Sequence, residues 1–431
     1  MKKYINKKLS LNSKFTKNVV TLVTGTALSQ AIPLALAPIL TRLYTPEDFG
    51  VLATYMSIAA VATVVVSLKY DIAIIIPEKD LDSASITILS IILAFIVSLV
   101  LFILLIFYNT KLAEFLIEGE EAKVLAKWLF FIPLSVFFTG VFNAVSFWFN
   151  RKSFYKTMAV SKVVNTSGMT GLQIGLGFLN FTPLGLLIGF LAGRFFSMLY
   201  LLNKLKKDKD TVFSKVNRKG MLYVLNRYKR FPYFTLPAEF TNVISNQLPI
   251  FIIGKYFGGV VLGNYSLMER VLNAPISLLG RSVLDVFKQR ASEDYAKLGN
   301  CKEIFVKTTK TLVVLSIVPT LLLFLLSPLV FEFIFGEEWY MAGEFAQIFS
   351  ILFFFKFTAS PLSYMFNIAE KQHYDMFWQI GLFVFAIISF IVGVQYNDVK
   401  IALICFVVTY SLMYLLNIYL SYSFAKGAKV Q

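Results

Sequence analysis

Twelve apolar stretches, each close to the ~20 residues a helix needs to cross a bilayer, dominate this chain. They occupy 18–40, 49–68, 84–108, 125–148, 158–178, 182–203, 232–254, 261–284, 308–328, 345–368, 376–394 and 399–422. Inside lipid every backbone polar group must be satisfied within the protein, so stretches of this length fold as helices. Threading the chain through these spans puts 30 Lys and Arg at one membrane face, 6 at the other and 5 inside, which accounts for all 41. Acids divide almost evenly, 12 and 11 with 2 inside, the full 25. A Lys/Arg bias orients helices and acids contribute little to it. The expectation is an all-α polytopic protein of inner-membrane type, with about 12 transmembrane helices and both termini cytoplasmic.

A hydrophobic share of 57% with only 15% charged residues agrees with this, since a soluble domain carries about 25% charged residues. The net charge of +16 follows from the same bias, so no nucleic-acid partner is expected. The 204–230 segment, rich in Lys and Arg, reads as a cytoplasmic linker beside anionic headgroups. The basic N-terminus (Lys2, Lys3, Lys7, Lys8, Lys14 and Lys17) precedes an apolar run of spanning length without a clear cleavage site, so no cleaved signal is expected. Two cysteines, Cys301 and Cys405, and one histidine, His373, leave little material for a metal site or cofactor. The longest external loops, roughly 109–124 and 329–344, are too short for a catalytic domain. An enzyme is therefore not expected, and function should lie among the helices.

The spans form two sets of six joined by the basic linker, giving expected divisions at 1–203, 204–231 and 232–431. An even helix count in each lobe makes the two lobes parallel repeats. Local matches support this. Leu40-Thr41-Arg42-Leu43-Tyr44 with Phe49-Gly50 parallels Ile253-Gly254-Lys255-Tyr256-Phe257 with Leu262-Gly263, and Lys152-Ser153-Phe154-Tyr155 parallels Lys371-Gln372-His373-Tyr374.

Charges inside a membrane are costly and face a bundle interior or a wet cavity. Seven lie at least three residues inside the span ends: Lys162, Arg194, Glu239, Glu269, Arg270, Arg281 and Lys356. Five are basic, so the path they line should favour an anion. In the eighth span, Ser266, Arg270, Asn273, Ser277 and Arg281 share one face within about 80° of arc. The two arginines lie roughly 16 Å apart along the axis, and guanidinium groups grip phosphate in a bidentate manner. Arg281 either lines the path or snorkels to the cytoplasmic surface. The same alternatives hold for Lys162, whereas Arg194 and Lys356 lie near mid-span. In the seventh span Thr235, Glu239, Asn242, Asn246 and Pro249 form a second stripe. Its one charge, Glu239, either couples transport to an ion or pairs permanently with a basic residue across the bundle. Glu269 is expected to pair locally. Pro33 and Pro38 in the first span, and Pro237 and Pro249 in the seventh, make both bendable. The ladder Gly185, Gly189, Gly193 and Ser197 is suited to close helix packing.

Leu40 through Tyr44, continuing Thr45-Pro46-Glu47-Asp48-Phe49-Gly50, resembles the first external loop of the polysaccharide repeat-unit flippases (O-antigen and exopolysaccharide, Wzx type). These belong to the multidrug/oligosaccharidyl-lipid/polysaccharide exporter superfamily. Leu68-Lys69-Tyr70-Asp71-Ile72-Ala73-Ile74 is similar to a second signature of that family, as is Tyr265 to Arg270 with Pro275 to Gly280. The resemblance implies a flippase that moves an undecaprenyl-pyrophosphate-linked oligosaccharide to the outer leaflet by alternating access, for O-antigen, capsule or exopolysaccharide biosynthesis. A proton or sodium ion would drive it, with a polysaccharide polymerase and a chain-length regulator as protein partners. The expected substrate path holds Arg270, Arg281, Arg194, Lys356, Lys162, Arg42 and Asn273, with Glu239 at ion coupling and Glu269, Lys69 and Asp71 in local pairs; the motifs themselves carry over only Arg42, Lys69, Asp71 and Arg270. The alternative is a cation-coupled multidrug exporter of the same superfamily, which should show a surplus of embedded acids. A polymerase should show a large external loop, and a major-facilitator protein a Gly- and Arg-rich loop in place of Lys69 to Asp82.

Overall fold

A computed structural model describes residues 21–22, 24–117, 119–207 and 212–427. The basic N-terminus and residues 208–211 of the 204–230 segment lie outside these residues. Among the described residues the secondary structure is entirely helical, as apolar runs in lipid require. The first span is α1 (Thr24–Leu43). It breaks at Leu36, and a short helix restarts at Ala37 with Pro38 in its first turn, where a missing N–H is harmless. Then come α2 (Pro46–Val65), α3 (Tyr70–Ala73), α4 (Asp80–Leu116), α5 (Glu120–Leu129), α6 (Ile132–Arg151), α7 (Tyr155–Phe178), α8 (Leu184–Lys207) and α9 (Arg218–Arg227). After them come α10 (Leu236–Leu298), α11 (Lys302–Phe335), α12 (Tyr340–Leu362), α13 (Met365–Ile368), α14 (Gln372–Gln395) and α15 (Val399–Ala425).

Ten helices of the described residues are long and apolar enough to cross a membrane, against the expected twelve. The difference has two sources. The seventh and eighth spans fall in one uninterrupted run, Phe231–Ser277. Its backbone leaves helical geometry only at Gly258 (φ 84°, ψ 172°), a conformation that glycine adopts without a steric penalty. The fifth span corresponds to α7, whose length suffices. Lys156, Lys162, Asn165, Thr166 and Gln173 make it too polar to qualify.

The chain divides into two compact units. The first holds Met1–Tyr44 and Val51–Gln247, the second Thr45–Gly50 and Leu248–Gln431. The division therefore falls within α10, at 247, where the sequence had suggested 232. Within the first unit α7 packs along α8, and α6 lies against both α4 and α8. Its core is built from Tyr70, Ile74, Ile86, Val145, Trp148, Phe149, Leu201 and, from α9, Val224. Phe213 meets the Trp148 ring edge-on, with centroids 4.7 Å apart. Part of the basic segment is thus folded onto the first unit. In the second unit α11 packs on α12, and α15 lies against α12 and α14.

The outer faces are apolar. Phe95, Leu99, Phe102, Ile103 and Phe107 of α4 are exposed, as are Val318, Leu322, Leu325, Leu329 and Phe333 of α11. A water-soluble monomer rarely leaves so much contiguous apolar surface open. Lipid is the solvent that covers it.

Candidate functional site

In the first unit α2 ends in a tight turn in which Leu68 and Lys69 both take left-handed backbone geometry, φ 49° and 63°. Such geometry is costly for residues with a Cβ. Here it reverses the chain and turns Lys69 inward, where the residue is buried. The Lys69 ammonium meets the Glu239 carboxylate at 2.7 Å. Asp71, two residues on, is buried and accepts a 2.6 Å hydrogen bond from the Ser67 hydroxyl. Burial raises its pKa above the usual carboxylate range, although that hydrogen bond and the nearby Lys69 oppose the rise.

Lys69 and Glu239 open onto a cavity of about 420 Å³ lined by residues of this unit alone. Arg194 is the other charge in the lining. Thr63, Ser135, Thr139, Asn143, Asn246 and Gln247 supply its hydroxyls and amides. The lining thus carries two cations and one anion. The Arg194 guanidinium sits 5.4 Å from the Phe190 ring centroid and, among the described residues, has no acidic partner. The volume falls within the range of small-molecule sites, about 300–1,000 Å³.

The second unit carries a related set. Lys356 of α12 donates a 3.1 Å hydrogen bond to the Asn273 side-chain carbonyl on α10. Asn273 is also hydrogen-bonded to Glu269, one turn earlier, and Glu269 feels the charge of Lys356. The guanidinium of Arg270 lies 5.6 Å from the Phe49 ring centroid, and Phe49 meets Trp339 edge-on at 5.0 Å. Arg270 likewise has no acidic partner among the described residues.

The remaining expected residues fall elsewhere. Lys162 donates to the Thr26 hydroxyl at 3.0 Å and does not line the cavity. Arg42 is exposed at the end of α1 and donates to the Pro38 carbonyl at 3.2 Å. Arg281 lies in α10, and its side chain is outside the described residues. One expected local pair differs: Lys69 pairs with Glu239 across the unit. Glu269 does bond locally, to Asn273 one turn on, and through that amide meets Lys356 of α12. Sequence reasoning missed Thr63, Ser135, Thr139, Asn143 and Gln247. The one available signal was Asn143, an amide in the middle of an apolar run.

The profile described as "Polysaccharide biosynthesis protein" matches residues 39–344. This chain belongs to that family. No curated protein matches it. Among solved structures, an inward closed conformation of the lipid II flippase MurJ superposes with a TM-score of 0.70 at 16% identity, covering 93% of this chain and 87% of that one. A multidrug resistance MATE family transporter of the MOP superfamily, in an inward-facing conformation, gives 0.69 at 14% identity and covers 91% and 93%. A MOP superfamily transporter from Pyrococcus furiosus, described as having a binding pocket of reversed polarity, gives 0.56 at 14% and covers 94% of both chains. The family member described here is thus a multi-pass α-helical membrane protein with the fold of the MOP superfamily. The matched structures are of transporters and a flippase, not of enzymes.

Proposed function

We propose that this chain is an alternating-access transporter that flips an undecaprenyl-pyrophosphate-linked oligosaccharide to the outer leaflet of the bacterial inner membrane. The observation that carries this reading is a pair of arginines, Arg194 and Arg270, one in each unit, neither of which has an acidic partner among the described residues. A guanidinium in a membrane protein is costly unless an anion or water meets it, and a diphosphate offers the paired oxygens that its planar fork grips. The hydroxyls and amides around Arg194 suit sugar hydroxyls. The match to a polysaccharide biosynthesis family agrees with a glycan cargo. Glu239, which lines the same cavity as Arg194, is the candidate for ion coupling, with its bond to Lys69 as the element that a proton or cation would break.

A second reading, a cation-coupled multidrug exporter, is favoured by the fold neighbour described as a multidrug resistance transporter. A cationic drug needs an uncompensated carboxylate. In the first-unit cavity the one carboxylate is engaged by Lys69 at 2.7 Å.

Depletion of the protein in its host separates the two. The flippase reading expects loss of surface glycan and build-up of lipid-linked repeat units on the cytoplasmic side. Unchanged surface glycan with new sensitivity to cationic drugs would favour the exporter.

A further inference from the structure

The arrangement of Glu269, Asn273 and Lys356 has a consequence beyond a static ion pair. The ammonium and the carboxylate lie beyond direct contact, since among the described residues no ion pair within 4.0 Å joins them. One amide spans the gap, accepting from Lys356 at 3.1 Å and bonding to Glu269. All three residues are partly buried rather than sealed.

We propose that Lys356 is a proton-gated anion site, masked by the Glu269 carboxylate and unmasked when that carboxylate takes up a proton. The proposal rests on the reading of an anionic cargo and adds a second binding position to it. The step is a simple protonation. One Glu269 oxygen gains H⁺ from water, no other bond is made or broken, and the cluster passes from neutral to a net charge of +1. Lys356 then lacks its counter-charge and the outer phosphate of a diphosphate can replace it. By linkage, an anion at Lys356 must raise the affinity of Glu269 for its proton by the same factor. Among the described residues, the other titratable or charged groups near the cluster are Tyr265 and Arg270 on α10, and Tyr410 and Tyr414 on α15. As free side chains, phenols and guanidinium do not titrate in the neutral range. Glu269 and Lys356 therefore carry the response.

Sulfate tests this, because it is a tetrahedral dianion whose own charge is constant near neutrality. Its binding to the full protein in lipid nanodiscs is measured by calorimetry at mildly acidic and mildly alkaline pH. Wild type should bind about tenfold more tightly at the acidic pH, the effect of removing one nearby opposing charge. Glu269→Gln, which mimics the protonated acid, should bind tightly at both. Lys356→Met should bind weakly at both, and Glu120→Gln, in an exposed surface pair, should keep the wild-type response. Because Glu269→Gln leaves Lys356 without a counter-charge and could impair folding, Glu269→Asp serves as a second variant, with the pH response retained but its midpoint moved. A wild-type pH response in Glu269→Gln or in Lys356→Met would overturn the proposal. Binding of sulfate requires no lipid-linked glycan. If the pH response appears as expected but lipid-linked oligosaccharide is not moved, the gated site stands and the flippase reading fails.

Discussion

Lys69 and Glu239 show how much a single residue's surroundings decide. The Lys69 side chain is 10% exposed and that of Glu239 is 39% exposed, so the pair lies between a screened surface bridge and a sealed one. Exposed pairs contribute about 0–1 kcal/mol, whereas breaking a buried pair costs about 3–5 kcal/mol. Glu239→Gln should therefore destabilise the protein by roughly 1–3 kcal/mol, because it leaves a mostly buried ammonium unpaired. Adding Lys69→Met should restore part of that loss. Thermal unfolding of the purified variants checks the order, and a double variant less stable than Glu239→Gln would contradict it. The sequence showed that Glu239 was the one charge on its helical stripe, but not its partner. Lys69 hides in a short connection whose inward direction depends on two left-handed residues, Leu68 and Lys69, and no helical periodicity reports such a turn.

At the scale of elements, glycines set how closely backbones approach. In the second unit a Cβ on Gly263 would collide with the Pro46 carbonyl, and one on Gly50 with the Gly259 carbonyl. The short segment around Phe49 is held there by backbone-to-backbone contact that no larger residue permits. Gly263→Ala should cost about 1–3 kcal/mol through overpacking and lower the folded yield in a detergent stability assay. Gly171→Ala is the matched control, since nothing lies within 4 Å of the added carbon, and it should be neutral or mildly stabilising. Equal loss in both would mean that the contact carries no weight. The sequence showed most spans clearly, because a run of about 20 apolar residues in lipid has one solution. It showed Gly50 and Gly263 only as equivalent positions of a repeat. It was least informative at α7, where polar residues dilute the hydropathy of a helix held by its neighbours, and at Gly258, where one backbone angle turns one long helix into two. The break in α1 before Pro38 was legible, since proline at that place ends one helix and starts another.

For the whole molecule, the Lys/Arg asymmetry expects the segment around 215 to be cytoplasmic. A cysteine introduced at Lys215 should react with an impermeant reagent only in inverted membrane vesicles. Background should be low, because Cys301 is buried and its thiol is pushed up to about 11; Cys405→Ser removes the other native thiol. Labelling in intact cells would reverse the topology. The central claim concerns the cargo. It is tested most directly in reconstituted vesicles, by following a lipid-linked oligosaccharide from one leaflet to the other. Wild type should move it, and Arg194→Ala and Arg270→Ala should each slow it roughly tenfold or more, as expected for losing a charged hydrogen-bond partner. A double alanine variant that moves the lipid-linked oligosaccharide at the wild-type rate would contradict the account.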